Sequence, residues 1–196
     1  MCALTVSPAN LVRGHLNPLD RTLAVLRHRA ELLARWGGVL GERLRAGNRL
    51  LTAGDDASAH AARYFATETV GRDDPARRPF AALALGPDLA SDSGEAFARQ
   101  VTAHARPRDV LVLLATPGGE HVLVRAAEEG RKAGATVWAL TGPEPGPLAS
   151  AAEETLSLRG TAATVPVGHL VAVQLLCAAV EQARPQGRDH IGDLAV

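Results

Sequence analysis

The sequence predicts an α/β fold: an open parallel sheet of five strands, helices on both faces and a helical extension at the N-terminus. Three observations carry this expectation. Short runs rich in Val and Leu alternate with helix-periodic stretches, as βαβ units require. Val110–Ala115 is a run of Val and Leu typical of a strand buried on both faces, and Ala135–Leu140 reads as another buried strand. The connections are also short, which leaves right-handed crossovers as the only way to return each strand to one sheet.

Met1–Pro18 shows no strong periodicity and is assigned as a loose leader (residues 1–18). From Leu19 to Ala46, the residues Leu23, Leu26, Ala30, Leu33, Leu40 and Leu44 recur at helical spacing, and Gly37-Gly38 divides or bends that stretch. Gly47-Asn48 reads as a helix C-cap. Arg49–Ala53 is the first strand, Gly54–Ser58 a tight turn and Ala59–Val70 a helix. A polar loop, Arg72–Pro79, leads to a strand at Phe80–Leu85, then a linker, Gly86–Gly94, and a helix at Glu95–Ala105. Arg106–Asp109 turns into the strand Val110–Ala115. A second small-residue turn, Thr116–Glu120, opens the helix His121–Ala133. Gly134 stops that helix before the strand Ala135–Leu140. A Pro/Gly-rich loop, Thr141–Pro147, a weaker strand, Thr155–Leu158, and a long apolar helix, Val165–Glu181, complete a single domain over residues 19–183, with a flexible tail at 184–196.

A chain of 196 residues with 46% hydrophobic content suits one soluble domain with a substantial core. Its 21 basic and 21 acidic residues cancel and aromatics make up 3%, which argues against a nucleic-acid partner. Cys2 and Cys177 have neither disulfide-framework nor zinc-site spacing, and Cys177 sits in an apolar helical run as a small buried side chain. The N-terminus lacks the signature of a secretory signal and no run reads as a bilayer span, so no membrane role and a cytoplasmic location are expected.

Function concentrates in two turns. A strand feeding a helix through small residues aims the helix's free N–H groups beyond the strand end, a shape suited to an anion. Ligands of open parallel sheets bind at the carboxyl ends of strands near the topological switch point, so Gly54–Ser58 and Thr116–Glu120 are the candidates to line the crevice. The first turn, however, holds Asp55 and Asp56. One role for these carboxylates is capping the helix from Ala59, worth about 1 kcal/mol. The other is binding a cation, such as an aminosugar amine or a partner's Arg, together with Glu120. For Thr116-Pro117-Gly118-Gly119, ending a strand and recognising a ligand are equally open.

These turns and their flanks resemble the sugar isomerase (SIS) domain, specifically its phosphoheptose isomerase branch. The resemblance spans roughly Leu19–Gln182 and is most specific at Ala53–Arg72, Phe97–Leu114, Val137–Leu148 and His169–Glu181. It implies a flavodoxin-like, three-layer αβα sandwich, a tetramer with sites at subunit contacts, and conversion of sedoheptulose 7-phosphate to a heptose 7-phosphate. Similar proteins present Gly-Asn-Gly-Gly-Ser in the first turn and Ser-Thr-Ser-Gly-x-Ser in the second. Here these read Gly54-Asp55-Asp56-Ala57-Ser58 and Ala115-Thr116-Pro117-Gly118-Gly119-Glu120. The implied ligand contacts are therefore Asp55, Asp56, Ala57, Ser58, Thr116, Gly118, Gly119 and Glu120, with all three second-turn serines replaced. Each charge-assisted hydrogen bond lost is worth roughly 1.5–3 kcal/mol. Each added like charge costs about 2–3 kcal/mol at ~6 Å and an effective dielectric of ~20. A millimolar ligand is held by only about 4 kcal/mol, so ordinary sugar-phosphate binding is expected to fail.

The resemblance also implies a glutamate base on the first helix of the sheet and a histidine acid on the last. The former falls on Glu68; the latter falls on Gln174, which cannot shuttle protons near neutral pH. The metal ligands of many relatives fall on Tyr64, Glu68, Pro166 and Gln174, so the family zinc site reads as lost and no metal or other cofactor is expected. His60 and His169 are weak candidates for a displaced acid or a displaced metal site, and Glu68 beside Arg72 also fits a solvated helix carboxylate. The linker Gly86–Gly94 is short for the family and leaves Asp92 as its one remnant of a substrate cover. The leading expectation is a SIS domain that keeps fold and assembly but has lost its parent chemistry. It would serve as a binding or regulatory subunit, as a homotetramer or paired with an active paralogue through Leu19–Ala46 and Val165–Glu181, with a small sugar-like ligand. The alternatives are an active sedoheptulose 7-phosphate isomerase using Glu68 with His60 or His169, and an aminosugar enzyme using Asp55, Asp56 and Glu120.

Overall fold

The computed structural model of the chain describes residues 7–71, 79–86, 93–143 and 146–182. Asp92, most of the linker Gly86–Gly94, most of the loop Arg72–Pro79 and the tail 184–196 lie outside the described residues. Proline at the start of α1 (Pro8–His28) suits a helical first turn, where a backbone N–H has no intrahelical partner. Residues 8–18, expected to be a loose leader, are therefore helical. Val12, Leu16, Leu19 and Leu23 do follow helical spacing, and Pro18 lies within the helix without ending it. Thr22 anchors α1 to the domain: its hydroxyl donates to the Arg159 carbonyl at 2.6 Å.

The helical extension breaks at Arg29, not at Gly37-Gly38, and continues as α2 (Ala30–Arg45). Gly37 stays inside the helix because it is a contact point: a Cβ there would strike the Ala179 side chain. The far end of α2 closes with a Schellman arrangement. The Asn48 N–H donates to the Arg43 carbonyl and Gly47, at φ +87°, donates to Leu44. On its buried face Trp36 stacks on Trp138 with ring centroids 4.7 Å apart and planes 3° from parallel, which docks the extension on the sheet.

Five strands follow, β1 (Leu50–Gly54), β2 (Ala82–Ala84), β3 (Val110–Leu114), β4 (Thr136–Thr141) and β5 (Glu154–Ser157), all parallel in the order β2-β1-β3-β4-β5. β3 reads as an unbroken apolar run, and β1 and β4 are apolar but for threonines, because each lies between two strands and under helices on both faces. The remaining helices are α3 (Ala59–Val70), α4 (Ser93–His104), α5 (His121–Lys132), α6 (Pro147–Ala151) and α7 (Val165–Gln182). One core joins α2, α3 and α7 to the sheet through Trp36, Phe65, Trp138 and Leu176. The other joins α4 and α5 through Phe97, Val101, Leu111 and Leu123. The result is the expected three-layer αβα sandwich with its N-terminal helices. The short α6 starts at Pro147, the last residue of the loop expected from sequence, and runs on into a stretch to which the sequence assigned no element.

α7 corrects one further expectation. At 18 residues and a mean hydropathy of 1.4 it is long and apolar enough to cross a membrane by length and composition alone. In this fold it instead buries Val165, His169, Ala172, Val173, Leu176 and Val180 in the domain.

Candidate functional site

The strand order changes direction between β1 and β3, so their carboxyl ends flank the crevice where open sheets of this order bind ligands. The two turns identified from sequence leave the sheet there, side by side. At the opposite end, the buried Asp109 carboxylate accepts from the Arg49 and Arg106 main-chain N–H groups at 2.9 and 3.0 Å and pairs with the Arg49 guanidinium. Its bonds secure the starts of β1 and β3 and leave it no place in the crevice.

Asp55 ties the two turns together. Oδ1 accepts from the Ser58 N–H at 3.0 Å, and Oδ2 accepts from the Thr116 N–H at 2.6 Å and from the Thr116 hydroxyl. The residue is 6% exposed. Its carboxylate fits because the facing residue is glycine: a Cβ on Gly119 would collide with Oδ2. The capping role holds for Asp55, whose main-chain oxygen also accepts from Ser58 and Ala59. Asp56 and Ala57 are exposed on the rim.

Behind this clamp lies a second buried pair. The Ser58 hydroxyl meets Nδ1 of His169 at 2.9 Å, and neither residue has any exposed surface. Burial drives the His169 pKa down to about 4, against smaller opposing effects of the Asp55 charge and the Thr141 main chain. Nε2 itself has no well-formed hydrogen bond. An enclosed neutral ring of this kind holds α7 to the first turn; it is not placed to meet a substrate. His60, by contrast, is exposed in the first turn of α3.

Glu120 also turns inward. Its Oε2 accepts from the Leu148 N–H at 3.4 Å, and a Cβ on Gly146 would collide with the same carboxylate. Desolvation raises its pKa, partly offset by the Leu148 bond. Pro117 and Gly118 are exposed, and Gly118 takes φ +90°. Of the three carboxylates expected to crowd the crevice, two are therefore engaged by N–H donors of the fold, and the third, Asp56, stands exposed to solvent. No linear pattern links Asp55 to Thr116 or Ser58 to His169, because 61 and 111 residues separate them.

Glu68 and Tyr64 lie half-buried one turn apart on α3, and Gln174 is exposed on α7, which packs against α3. The four positions matched to metal ligands, Tyr64, Glu68, Pro166 and Gln174, offer one carboxylate and no imidazole, a donor set that does not fit a zinc ion. Among the described residues no three His, Cys, Asp or Glu side chains come together.

A family model for the SIS domain matches residues 17–142. The phosphoheptose isomerase of Streptomyces coelicolor is 44% identical over 94% of this chain and 83% of its own length. The chain belongs to the phosphoheptose isomerase family of SIS-domain proteins. The phosphoheptose isomerase of Rhodospirillum rubrum is 34% identical over 79% of the chain and 87% of its own length. Among solved structures, a phosphoheptose isomerase from Francisella tularensis superposes with a TM-score of 0.80 at 22% identity. It covers 90% of this chain and 100% of its own, a likeness of fold. Nothing in these comparisons supports the expected loss of chemistry.

Proposed function

We propose that this member of the family is an aldose–ketose isomerase acting on a sedoheptulose 7-phosphate-type sugar phosphate, without a bound metal. The 44% identity to the Streptomyces coelicolor isomerase over almost the whole chain carries the reading. Glu68, on the helix that rises from the first turn, would take the proton from C1 of the ketose and return it to C2 through an enediol. Gln174 would hydrogen-bond the substrate oxygens but not exchange protons with them. With His169 enclosed, His60 remains of the two histidines considered as the acid. The assay is incubation with sedoheptulose 7-phosphate followed by NMR, with and without zinc. Turnover is expected, falling about 10²–10⁴-fold in Glu68→Gln. A folded wild-type protein that gives no aldose under either condition would remove the proposal.

A second reading, a binding subunit without turnover, draws on Gln174 at the position matched to the family's acid. Thermal stabilisation by the sugar phosphate without product would favour it.

Association is part of the proposal. α7 leaves Val167, Leu170 and Leu175 exposed, and α1 leaves Val12 and Leu16. A groove of about 490 Å³ between α1, α2 and α7, lined by Leu23, Leu33, Val171 and Leu175 among others, continues that apolar surface. A homotetramer, or a mixed assembly with an active paralogue, would cover it.

A further inference from the structure

We infer that Asp55 is a specificity-determining residue of the crevice: a built-in anion that engages the donors of both turns and weakens their hold on a phosphate group. The inference rests on reading the crevice as a sugar-phosphate site. Ser58 and Thr116 are the two polar residues that remain at the positions matched to the family's phosphate contacts. In this structure the Ser58 N–H, the Thr116 N–H and the Thr116 hydroxyl all point at the Asp55 carboxylate. The Ser58 hydroxyl is turned away, to His169. Gly119 supplies the space the carboxylate fills.

A phosphate arriving between the turns therefore has two courses. It can displace Asp55, a buried residue, which then loses three hydrogen bonds. Otherwise it must bind beside an ionised carboxylate without those donors, where like charges repel across a low-dielectric gap. Either course lowers affinity for the dianion, so the sugar's hydroxyls must supply more of the binding than its phosphate does. Asp56 supplies the internal control. It carries the same charge one residue away, but on the exposed rim, where solvent and salt screen it.

The test is calorimetric titration of inorganic phosphate into wild-type protein, Asp55→Asn and Asp56→Asn. Asparagine keeps an oxygen acceptor for the turn and removes the charge. Asp55→Asn is expected to bind phosphate roughly tenfold or more tightly than wild type. Asp56→Asn should stay within about threefold of wild type. Equal affinities for wild type and Asp55→Asn, or the same gain in both variants, would overturn the inference. Should circular dichroism show Asp55→Asn unfolded, wild-type crystals soaked in phosphate decide it. An ion bonded to the Thr116 and Ser58 N–H groups with Asp55 swung aside, or no ion at the turns, supports the inference. An ion seated there with Asp55 unmoved overturns it. Phosphate titration needs no turnover, so this outcome is separable from the isomerase assay.

Discussion

Acid should destabilise this protein through one imidazole. His169 is enclosed, hydrogen-bonded to Ser58 at 2.9 Å, and its pKa falls from 6.5 to about 4 on folding, chiefly because burial disfavours the charged ring. The folded pKa lies below the unfolded one, so the unfolded chain takes the proton first. Above pH 6.5 both states are neutral and the full stability is present. Between 6.5 and about 4 each pH unit removes about 1.4 kcal/mol. Below about 4 both states are protonated and this group removes no more. The whole window is worth about 3 kcal/mol, a large share of the roughly 5–15 kcal/mol that holds a domain together. Glu120 acts in the opposite sense: its raised pKa contributes stability that is present at low pH and lost as pH rises through the folded value. The measurement is urea unfolding at pH 7.5 and pH 5 for wild type and His169→Gln, which keeps a neutral partner for Ser58. Carboxylates titrate alike in both proteins and cancel in the comparison. Wild type should lose about 2 kcal/mol more than the variant over this interval. Identical pH dependence would show that the ring is hydrated or already charged, and the reasoning would fail.

The glycine pair of α2 separates contact from flexibility. Gly37→Ala drives a methyl into Ala179 and should cost about 1–3 kcal/mol, whereas Gly38 faces open space, so Gly38→Ala should gain up to about 1 kcal/mol of helix propensity. Urea midpoints read both, and equal effects would contradict the α2–α7 packing. If the groove between α1, α2 and α7 is covered by another subunit, Leu175→Glu should convert the oligomer seen by light scattering to smaller species at micromolar concentration. A variant of unchanged mass would place the interface elsewhere.

Much of the fold was legible because its signals are local. β3 and β4 lie in the centre of the sheet, so burial on both faces leaves a run of apolar residues that needs no partner to be recognised. The turn–helix from Gly54 to Val70 was legible for the same reason. Where sequence and structure part, the deciding contact lies far along the chain. Gly37-Gly38 looks like a break until Ala179, more than a hundred residues on, is seen to require the missing side chain. The extension beginning at Pro8 is helical although its exposed apolar positions, Val12 and Leu16, face no core of its own domain.

The crevice shows the same limit in sharper form. Its composition was legible, and composition alone made Asp55 and Glu120 charges to be repelled by any phosphate. A carboxylate's effect on a ligand depends on whether its lone pairs are already engaged, and that is a property of pairing, not of residue type. Asp55 is bound by Thr116 at the end of the neighbouring strand, and Glu120 by Leu148 of α6. Both are built into the walls. The obstacle to phosphate is therefore a shortage of free donors as well as a negative charge. That distinction is chemical as well as structural: added salt would relieve repulsion, but it cannot restore an N–H group that is already engaged.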